Sequence, residues 1–276
     1  MVTSKNNQLY THLNNGIEMP LLGLGVYDMH GEEAVNAISD ALKIGYRLID
    51  TAEMYDNETE VGKAIANSNI SREELFITSK VNNTSQGYDE TLKAFDRSLK
   101  LLGVEYLDLY LIHWPIKGKR KDTWRAIEKI YADGRARAIG TGNYLLPFLK
   151  ELESYSTIVP AVNQIEFTPY LFLKDELEYC KSNKIQLQAY TPLLRGKKFD
   201  DPRLISIAEK YGKTPAQIIL RWAIQQGISS IPKSSNINRL KENFNIFNFS
   251  IDEADILFMN SFDEQLRIID DPMLMY

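Results

Sequence analysis

Short apolar segments alternate along the chain with longer segments in which apolar residues recur at helical spacing. The short segments are often β-branched and nearly continuous in apolar character, which is typical of parallel strands covered on both faces. They predict eight strands, at residues 21–26, 46–52, 76–81, 107–114, 136–142, 161–167, 186–193 and 229–233. The alternation itself predicts repeated strand–helix units.

Capping residues mark the boundaries of the intervening helical segments. Glycine follows three of these segments, which cover residues 32–44, 92–102 and 124–133. Glycine is favoured after a helix because it adopts positive φ without the steric cost of a Cβ atom. Thr214 followed by Pro215 predicts the start of another helix, since threonine caps a helix N-terminus and proline fits the first turn.

Eight strand–helix units in 276 residues predict the α/β class, and within it a (β/α)8 TIM barrel that forms a single domain over residues 1–276. An open, doubly wound sheet is the alternative. Residues 9–13 and 17–20 flank an Asn-Asn-Gly triplet, which predicts a β-hairpin. We expect this N-terminal hairpin to close the bottom of the barrel, so that the C-terminal ends of the strands carry the functional site.

Composition narrows the functional classes. The chain is 44% hydrophobic and 25% charged, as in soluble globular proteins. Its single cysteine, Cys180, permits neither an internal disulfide nor a cysteine-based metal site, so we expect a cytoplasmic protein without a metal. A net charge of −5 without a basic face argues against nucleic acid or a membrane as partner, and no segment predicts a signal peptide or a bilayer span.

Polar side chains stand at or just after the ends of three predicted strands. They are Asp50, Tyr55, Lys80 and His113. Each one alone has an ordinary structural explanation, such as a helix cap for an aspartate or a packed ring for a histidine. A barrel brings the ends of neighbouring strands to one mouth, so we expect these four side chains to meet.

Together these side chains suit the reduction of a carbonyl group. A phenol has a pKa of about 10, so it shuttles protons poorly at neutral pH unless a nearby cation favours the phenolate. We expect Lys80 to supply that charge to Tyr55, Asp50 to hold Lys80 protonated, and a neutral His113 to polarise the substrate carbonyl. In such a reaction a proton reaches the carbonyl oxygen as hydride reaches the carbon.

Three motifs carry a resemblance to a known family. They are Asp50-Thr-Ala-Glu-Met-Tyr-Asp-Asn-Glu, Ile77-Thr-Ser-Lys-Val and Leu109-Tyr-Leu-Ile-His-Trp-Pro. In this order they resemble the aldo-keto reductase family, from the N-terminal hairpin to about Asp263, and in particular its compact bacterial members such as diketogluconate and glyoxal reductases. The resemblance implies a monomer that uses the four residues above as a catalytic tetrad, with Tyr55 as the proton donor in reduction.

A cofactor site is predicted after the last strand, where Lys233, Ser234 and Arg239 offer two cations and a hydroxyl to a phosphate. A solvated loop is the plain alternative. Two Gly-x-Gly pairs, at Gly23 and Gly140, lack the third glycine of a dinucleotide fingerprint, so we interpret them as relief of crowding between barrel strands.

The resemblance implies specific cofactor contacts. The adenosine end of NADPH/NADP+ is expected to be held by Lys233, Ser234, Arg239 and Asn243, which match the family's residues for this role. The nicotinamide carboxamide is expected to bind Asn143 and Gln164, and the nicotinamide ring to stack on Tyr190. Further contacts are expected from Thr191 and Leu193. Two cations suit a doubly charged phosphate, which favours NADPH over NADH.

The chain departs from the family pattern at two positions. Gly142 replaces a serine, so one hydrogen bond to the carboxamide, worth about 1 kcal/mol, is expected to be missing. Asn82 replaces a tryptophan found in many relatives, which leaves Tyr27 and Trp114 as aromatic walls beside Asn82 and His113 in the substrate cleft. With a short tail after Asp263, the cleft is expected to be open and to accept small aldehydes, 2-oxoaldehydes or keto-sugars.

Two other functions stay open on the sequence alone. One is an NADP(H)-binding regulatory or redox-sensing protein with little turnover, which the altered carboxamide site favours slightly and the four retained catalytic side chains oppose. The other is a barrel hydrolase or lyase that uses Asp50 and His113. Such an enzyme would not need the phosphate-binding segment.

Overall fold

The N-terminus forms a small antiparallel sheet. The computed structural model of the chain describes residues 2–5 and 8–274. Strands β1 (Val2–Lys5), β2 (Gln8–His12) and β3 (Glu18–Pro20) pair in that order. The predicted hairpin is confirmed, because β2 pairs with β3 across a turn in which Gly16 has a φ of 86°. The sequence pattern did not predict β1.

Eight further strands form one parallel sheet in chain order. They are β4 (Leu24–Gly25), β5 (Leu48–Asp50), β6 (Phe76–Val81), β7 (Leu107–Ile112), β8 (Ala136–Gly142), β9 (Val162–Glu166), β10 (Gln186–Tyr190) and β11 (Ser229–Ile231). The first and last strands meet where the N–H of Gly23 donates to the carbonyl oxygen of Ser230 (2.9 Å). The (β/α)8 barrel is confirmed, and the alternative of an open sheet is wrong.

Several strands are shorter than their apolar segments. Strands β6 and β8 have the predicted bounds, whereas the segment 186–193 leaves the sheet after Tyr190. Thr191 has a φ of 48°, outside the β region, so the chain turns there. The segment 107–114 likewise ends its ladder at Ile112. The polar residues at these ends therefore belong to the loops at the mouth or to the last strand positions.

Helices surround the sheet. In the described ranges they are α1 (Gly31–Ile44), α2 (Glu58–Ala66), α3 (Tyr88–Leu102), α4 (Arg120–Ala132), α5 (Leu146–Glu153), α6 (Lys174–Ser182), α7 (Pro202–Tyr211), α8 (Pro215–Gln225), α9 (Ile237–Phe244) and α10 (Glu253–Asn260). The predicted start at Thr214 is a full capping box with Gln217. No helix in this part of the chain is both long and apolar enough to cross a bilayer.

An apolar cluster fills the lower part of the barrel interior. Its strand residues are Leu48, Phe76, Leu109, Leu111, Ala138, Val162 and Ile231, and Leu13 and Met19 of the hairpin pack against them. Asn14 and Asn15 also donate to the carbonyl oxygens of Pro160 and Arg137, at 3.1 and 2.9 Å. The hairpin thus closes the bottom of the barrel, as predicted, and leaves the C-terminal mouth for the site.

The Gly-x-Gly pairs lie where strands crowd one another. A Cβ atom on Gly140 would lie 2.2 Å from the carbonyl oxygen of Val162, and one on Gly23 would lie 2.2 Å from Cδ2 of Leu48. The first distance requires a shift of β9, because the atom met is backbone, and the second requires at least the Leu48 side chain to move. The structure therefore confirms that these glycines serve packing and form no dinucleotide fingerprint.

Candidate active site

Adjacent strands bring the four predicted catalytic residues to the mouth. Asp50 ends β5, Lys80 is the penultimate residue of β6, and His113 directly follows β7. These three strands are neighbours in the sheet, and their inward side chains alternate with side chains that face the helices. Tyr55 reaches the same place from a short 3-10 turn after β5, at Glu53–Tyr55.

The ammonium of Lys80 is the centre of the cluster. Its Nζ donates to Oδ1 of Asp50 at 2.5 Å, to the carbonyl oxygen of Thr51 at 2.8 Å and to the hydroxyl of Tyr55 at 3.3 Å. Three acceptors match the three donors of an ammonium group. Lys80 is fully buried, so these contacts replace all of its hydration.

Burial acts on both members of the ion pair. It raises the pKa of Asp50 and lowers the pKa of Lys80, because desolvation disfavours each charged form. The partner's charge opposes the shift on each side, and the Nε2 of Gln164 adds a second donor to Asp50 at 2.7 Å. The carboxylate is therefore hydrogen-bonded through both oxygens.

The phenol of Tyr55 differs from the prediction. Burial, followed by the negative charge of Asp50, raises its pKa well above the usual value. We expected Lys80 to favour the phenolate, but its ammonium lies closer to the carboxylate than to the phenol. Tyr55 is therefore protonated in this structure, and its hydroxyl accepts a hydrogen bond from Lys80.

His113 stands beside this phenol as a neutral ring. Burial, followed by the nearby charge of Lys80, holds the pKa of His113 well below its usual value. The rings of Tyr55 and His113 meet edge to face, with centroids 5.5 Å apart. The Nδ1 atom of His113 has no hydrogen-bond partner among the described residues. The imidazole is thus neutral at neutral pH.

Aromatic side chains line the cleft above the cluster. Tyr27 packs edge to face on Tyr55 at 5.1 Å and is 52% exposed, and Trp114 lies 6.4 Å from His113. Asn82 is half-buried, and its side chain makes no hydrogen bond in the described chain. The predicted substrate residues therefore lie beside Tyr55 and His113, or are joined to the turn that carries Tyr55.

The turn that carries Tyr55 is tied to the loop that carries Asn82. The carboxylate of Glu53 accepts from the backbone N–H of Asn82 (2.9 Å), from the hydroxyl of Ser85 (2.9 Å) and from Arg97 (2.8 Å). The sequence reasoning missed Glu53. Its position inside the motif between Asp50 and Tyr55 was the available signal, but its partners come from another loop and another helix.

The residues expected around the nicotinamide also meet. The hydroxyl of Tyr190 donates to Oδ1 of Asn143 at 2.7 Å, and Nδ2 of Asn143 donates to the carbonyl oxygen of His113 at 2.9 Å. Gln164 lies on β9 with only 3% of its surface exposed. The orientation of the Tyr190 ring is thereby fixed beside the tetrad.

The residues expected at the adenosine end lie farther around the mouth. Lys233 follows β11 and forms an isolated bridge with Gly25, Ser234 is buried, and Arg239 is exposed on α9 beside the buried Asn243. Thr191 and Leu193 lie in the loop after β10. The two cations thus stand near the N-terminal end of α9, which suits an anion.

The C-terminal tail is anchored close to Tyr190. Glu166, at the end of β9, accepts from the backbone N–H groups of Ile268 (2.6 Å) and Ile269 (3.1 Å). Tyr190 pairs with Glu166 in the sheet register. The short tail therefore passes by the mouth and borders the cleft.

Gly142, the last residue of β8, faces the backbone at the end of the neighbouring strand β7. A Cβ atom there would lie 2.7 Å from the carbonyl oxygen of His113 and 2.9 Å from that of Ile112. A serine thus cannot simply be added to this backbone. The glycine reflects the close approach of β8 to β7, whatever its effect on cofactor affinity.

Comparisons with known proteins agree with this site. The model of the Aldo/keto reductase family matches residues 21–264. Glyoxal reductase of Bacillus subtilis is 49% identical over 261 residues, which cover 94% of this chain and 95% of that protein. An aldo-keto reductase from a Medee basin deep-sea metagenome library has a TM-score of 0.92 at 44% identity, covering 95% of this chain and 97% of that one. An aldo-keto reductase solved with NADPH has a TM-score of 0.91 at 33% identity, and the match covers 98% of this chain and 91% of that one.

The barrel and these relatives define an oxidoreductase. The chain belongs to the aldo/keto reductase family. The interpretation as a hydrolase or lyase therefore has no support. Among the described residues, no group of three or more His, Cys, Asp or Glu side chains is placed to hold a metal ion.

Replacing Gly142 by serine tests the close approach of the strands. We expect Gly142→Ser to lower the free energy of unfolding by about 1–3 kcal/mol, because β7 or β8 must shift to admit the Cβ atom. Contrary to the expectation from the sequence, NADPH binding should not become tighter, because the same shift displaces the added hydroxyl. Denaturant unfolding and cofactor titration measure the two effects. Thr141→Ser, next to it on the strand, is the control. A serine variant of undiminished stability that binds NADPH more tightly would contradict this account.

His113 should make stability depend on pH. Its folded pKa lies well below the usual 6.5, so unfolding takes up a proton as the pH falls through 6.5. The free energy of unfolding should then decrease by up to about 1.4 kcal/mol per pH unit until the folded pKa is reached. Denaturant unfolding between pH 5 and 7.5 measures this. His113→Asn should reduce the slope, whereas the exposed His30→Asn should keep it. An equal slope in both variants and the wild type would rule out this role.

Proposed function

We propose that this protein reduces small carbonyl compounds to alcohols with NADPH, and that Tyr55 donates the proton. The observation that carries the proposal is the contact of the buried Lys80 ammonium with both Asp50 and the Tyr55 hydroxyl. This contact supports Tyr55 as the proton donor, with Lys80 as its electrostatic support, at the open end of the barrel. Membership in the aldo/keto reductase family makes carbonyl reduction the reaction class.

The residues around the mouth fit NADP(H). When bound, NADPH supplies the hydride. The Tyr190 ring is held by Asn143, and Oε1 of Gln164 accepts no hydrogen bond from the described chain, so it is free for a carboxamide N–H. Lys233 and Arg239 offer two positive charges, which suits the extra phosphate of NADP(H). Solved relatives complexed with NADPH and with NADP support the same cofactor.

Tyr55 suits proton donation to an alkoxide. Its phenol is fully protonated, because burial keeps its pKa high. The alkoxide oxygen that hydride addition leaves on the substrate is a stronger base than phenolate. Proton transfer from Tyr55 to this oxygen is therefore favourable. Lys80 then faces the phenolate that is left behind and stabilises it by a charge-assisted hydrogen bond.

His113 orients the carbonyl before this transfer. A neutral imidazole carries one N–H group, which can donate to the substrate oxygen without protonating it. The edge-to-face contact between the His113 and Tyr55 rings supports the two groups acting on the same oxygen. Two donors converging on one oxygen are the arrangement that stabilises developing negative charge.

The cleft favours small substrates such as simple aldehydes, 2-oxoaldehydes and keto-sugars. Asn82 adds a polar amide where a tryptophan is expected, and the exposed Tyr27 leaves one side open. A close relative is named glyoxal reductase, which supports a 2-oxoaldehyde as a first compound to test. A cytoplasmic location and a monomeric state stay predictions from the sequence.

The alternative is an NADP(H)-binding regulatory or sensing protein. The altered residue Gly142 was its only support, and packing between β7 and β8 explains that glycine. The contact of Lys80 with both Asp50 and Tyr55, with His113 beside the phenol, favours turnover.

Tyr55→Phe tests the proton donor. We expect the rate of methylglyoxal reduction to fall by at least about 100-fold, since the phenol proton is lost, while the dissociation constant of NADPH changes by less than about 3-fold because the change removes one hydroxyl remote from the phosphate site. The loss of absorbance at the NADPH band measures the rate of reduction, and a binding titration measures the dissociation constant. Tyr131→Phe on α4 makes the same chemical change elsewhere and should behave as wild type. Substantial turnover by the Tyr55 variant would refute the assignment.

Arg239→Ala tests the choice of cofactor. Loss of a charge-assisted bond to the phosphate should weaken NADPH binding by about 10-fold or more and leave NADH binding nearly unchanged. Calorimetric titration with both cofactors measures this. Lys241→Ala, an exposed cation on the same helix, is the control. Equal losses for NADPH and NADH would show that Arg239 does not contact the extra phosphate.

A further inference from the structure

A row of buried hydrogen bonds crosses the barrel interior from the tetrad to the N-terminal hairpin. Nε2 of Gln164 donates to Asp50 (2.7 Å) and to Oε1 of Gln188 (2.8 Å). Nε2 of Gln188 donates to the hydroxyl of Ser229 at 3.1 Å, and that hydroxyl donates to the carbonyl oxygen of Pro20 at 3.4 Å. Gln188 and Ser229 are fully buried.

The sheet register holds the members of this row side by side. Gln188 on β10 pairs with Gln164 on β9 and with Ser229 on β11. Paired residues of neighbouring parallel strands point to the same face, which here is the barrel interior. The row is therefore built into the strand pairing and does not depend on mobile loops.

The two ends of the row fix the direction of every bond in it. An ionised Asp50 only accepts hydrogen bonds, so the Gln164 atom that faces it must be the NH2 group. The second N–H of that group then needs an acceptor, and Oε1 of Gln188 is the atom it meets. At the far end the carbonyl of Pro20 also only accepts, so the Ser229 hydroxyl donates to it and accepts from Gln188.

One atom of the row is left without a partner. With both N–H groups of Gln164 engaged, its Oε1 accepts no hydrogen bond from the described chain. This oxygen can only accept, so it suits the N–H of a carboxamide. A reversed amide would present a donor there and would set an NH2 group against the NH2 of that carboxamide.

We propose that Gln188 is a positioning residue for the cofactor. By accepting the second N–H of Gln164, Gln188 holds that amide with its oxygen towards the nicotinamide carboxamide and its nitrogen on Asp50. The inference rests on the proposed function, since it takes NADP(H) as the ligand. The inference goes beyond the proposed function because it assigns the orientation of the carboxamide site to Gln188, a residue expected to touch neither cofactor nor substrate.

The test compares two cofactors in binding titrations without turnover. One is NADP+, and the other is its 3-acetylpyridine analogue, in which a methyl ketone replaces the carboxamide and no N–H remains. Wild-type protein should bind the analogue several-fold more weakly than NADP+. Gln188→Met, of nearly the same shape, removes the acceptor of the second N–H, so the Gln164 amide is held by Asp50 alone and can rotate about that contact. Its oxygen then loses its fixed direction, and the ratio of the two dissociation constants should fall about 5-fold.

Conservative variants separate positioning from packing. Gln188→Glu, kept protonated by full burial, retains an acceptor for Gln164 and a donor for Ser229, and should preserve the wild-type ratio. Ser229→Ala removes only the far partner of Gln188 and should lower the ratio by about 2-fold. Gln186→Met makes the same change two residues earlier on the strand, where the amide bonds the carbonyl oxygens of Leu187 and Gly227, and should leave the ratio unchanged.

The pH profile of kcat/KM gives a second readout. A Gln164 amide held by Asp50 alone donates a less well-aligned hydrogen bond to the carboxylate, so the acid limb should move to higher pH in Gln188→Met and stay in place in Gln186→Met. A wild-type ratio in Gln188→Met, an equal loss in Gln186→Met, or no discrimination by the wild type would overturn the inference. If Gln188→Met does not fold, an unchanged ratio in Ser229→Ala would overturn it. Failure of the proposed function would appear separately, as wild-type protein that oxidises no NADPH with any carbonyl.

Discussion

The buried contact between the Lys80 ammonium and the Asp50 carboxylate is the constraint on which the upper half of the barrel depends. Two charges inside a protein lose their hydration, and the attraction between them compensates only if their remaining hydrogen bonds are also satisfied. Here the ammonium has three acceptors and the carboxylate has a donor on each oxygen. Leaving either charge unpaired would destabilise the fold as well as the site.

The same burial sets the protonation of the other two tetrad residues. It raises the pKa of Tyr55 and lowers that of His113, so both are neutral hydrogen-bonding groups at neutral pH. The site therefore holds neutral hydrogen-bonding groups next to a charge that is already paired. In the proposed mechanism, such a donor transfers its proton only after the carbonyl oxygen has become strongly basic, which links proton transfer to hydride arrival.

Hydrogen bonds inside the barrel connect the site at the mouth with the hairpin that closes the other end. Apolar side chains fill the lower interior, where Leu13 and Met19 of the hairpin pack, and polar side chains occupy the levels above. The row from Asp50 through Gln164 and Gln188 runs between these levels and ends on the hairpin carbonyl of Pro20. The hairpin thus closes the interior and also accepts the last hydrogen bond of a network that begins at the mouth.

The sequence by itself determined the strand–helix alternation, the hairpin and the presence of Asp50, Tyr55, Lys80 and His113 at or near strand ends, because these depend on local periodicity and turn chemistry. It did not determine which partners those side chains take. The preference of Lys80 for Asp50 over Tyr55 follows from distances between different strands. The partners of Glu53, Gln188 and Gly142 likewise come from segments far away in sequence. Closure of the barrel creates these contacts, and the same closure removes the water that decides each pKa, so only the tertiary structure fixes them.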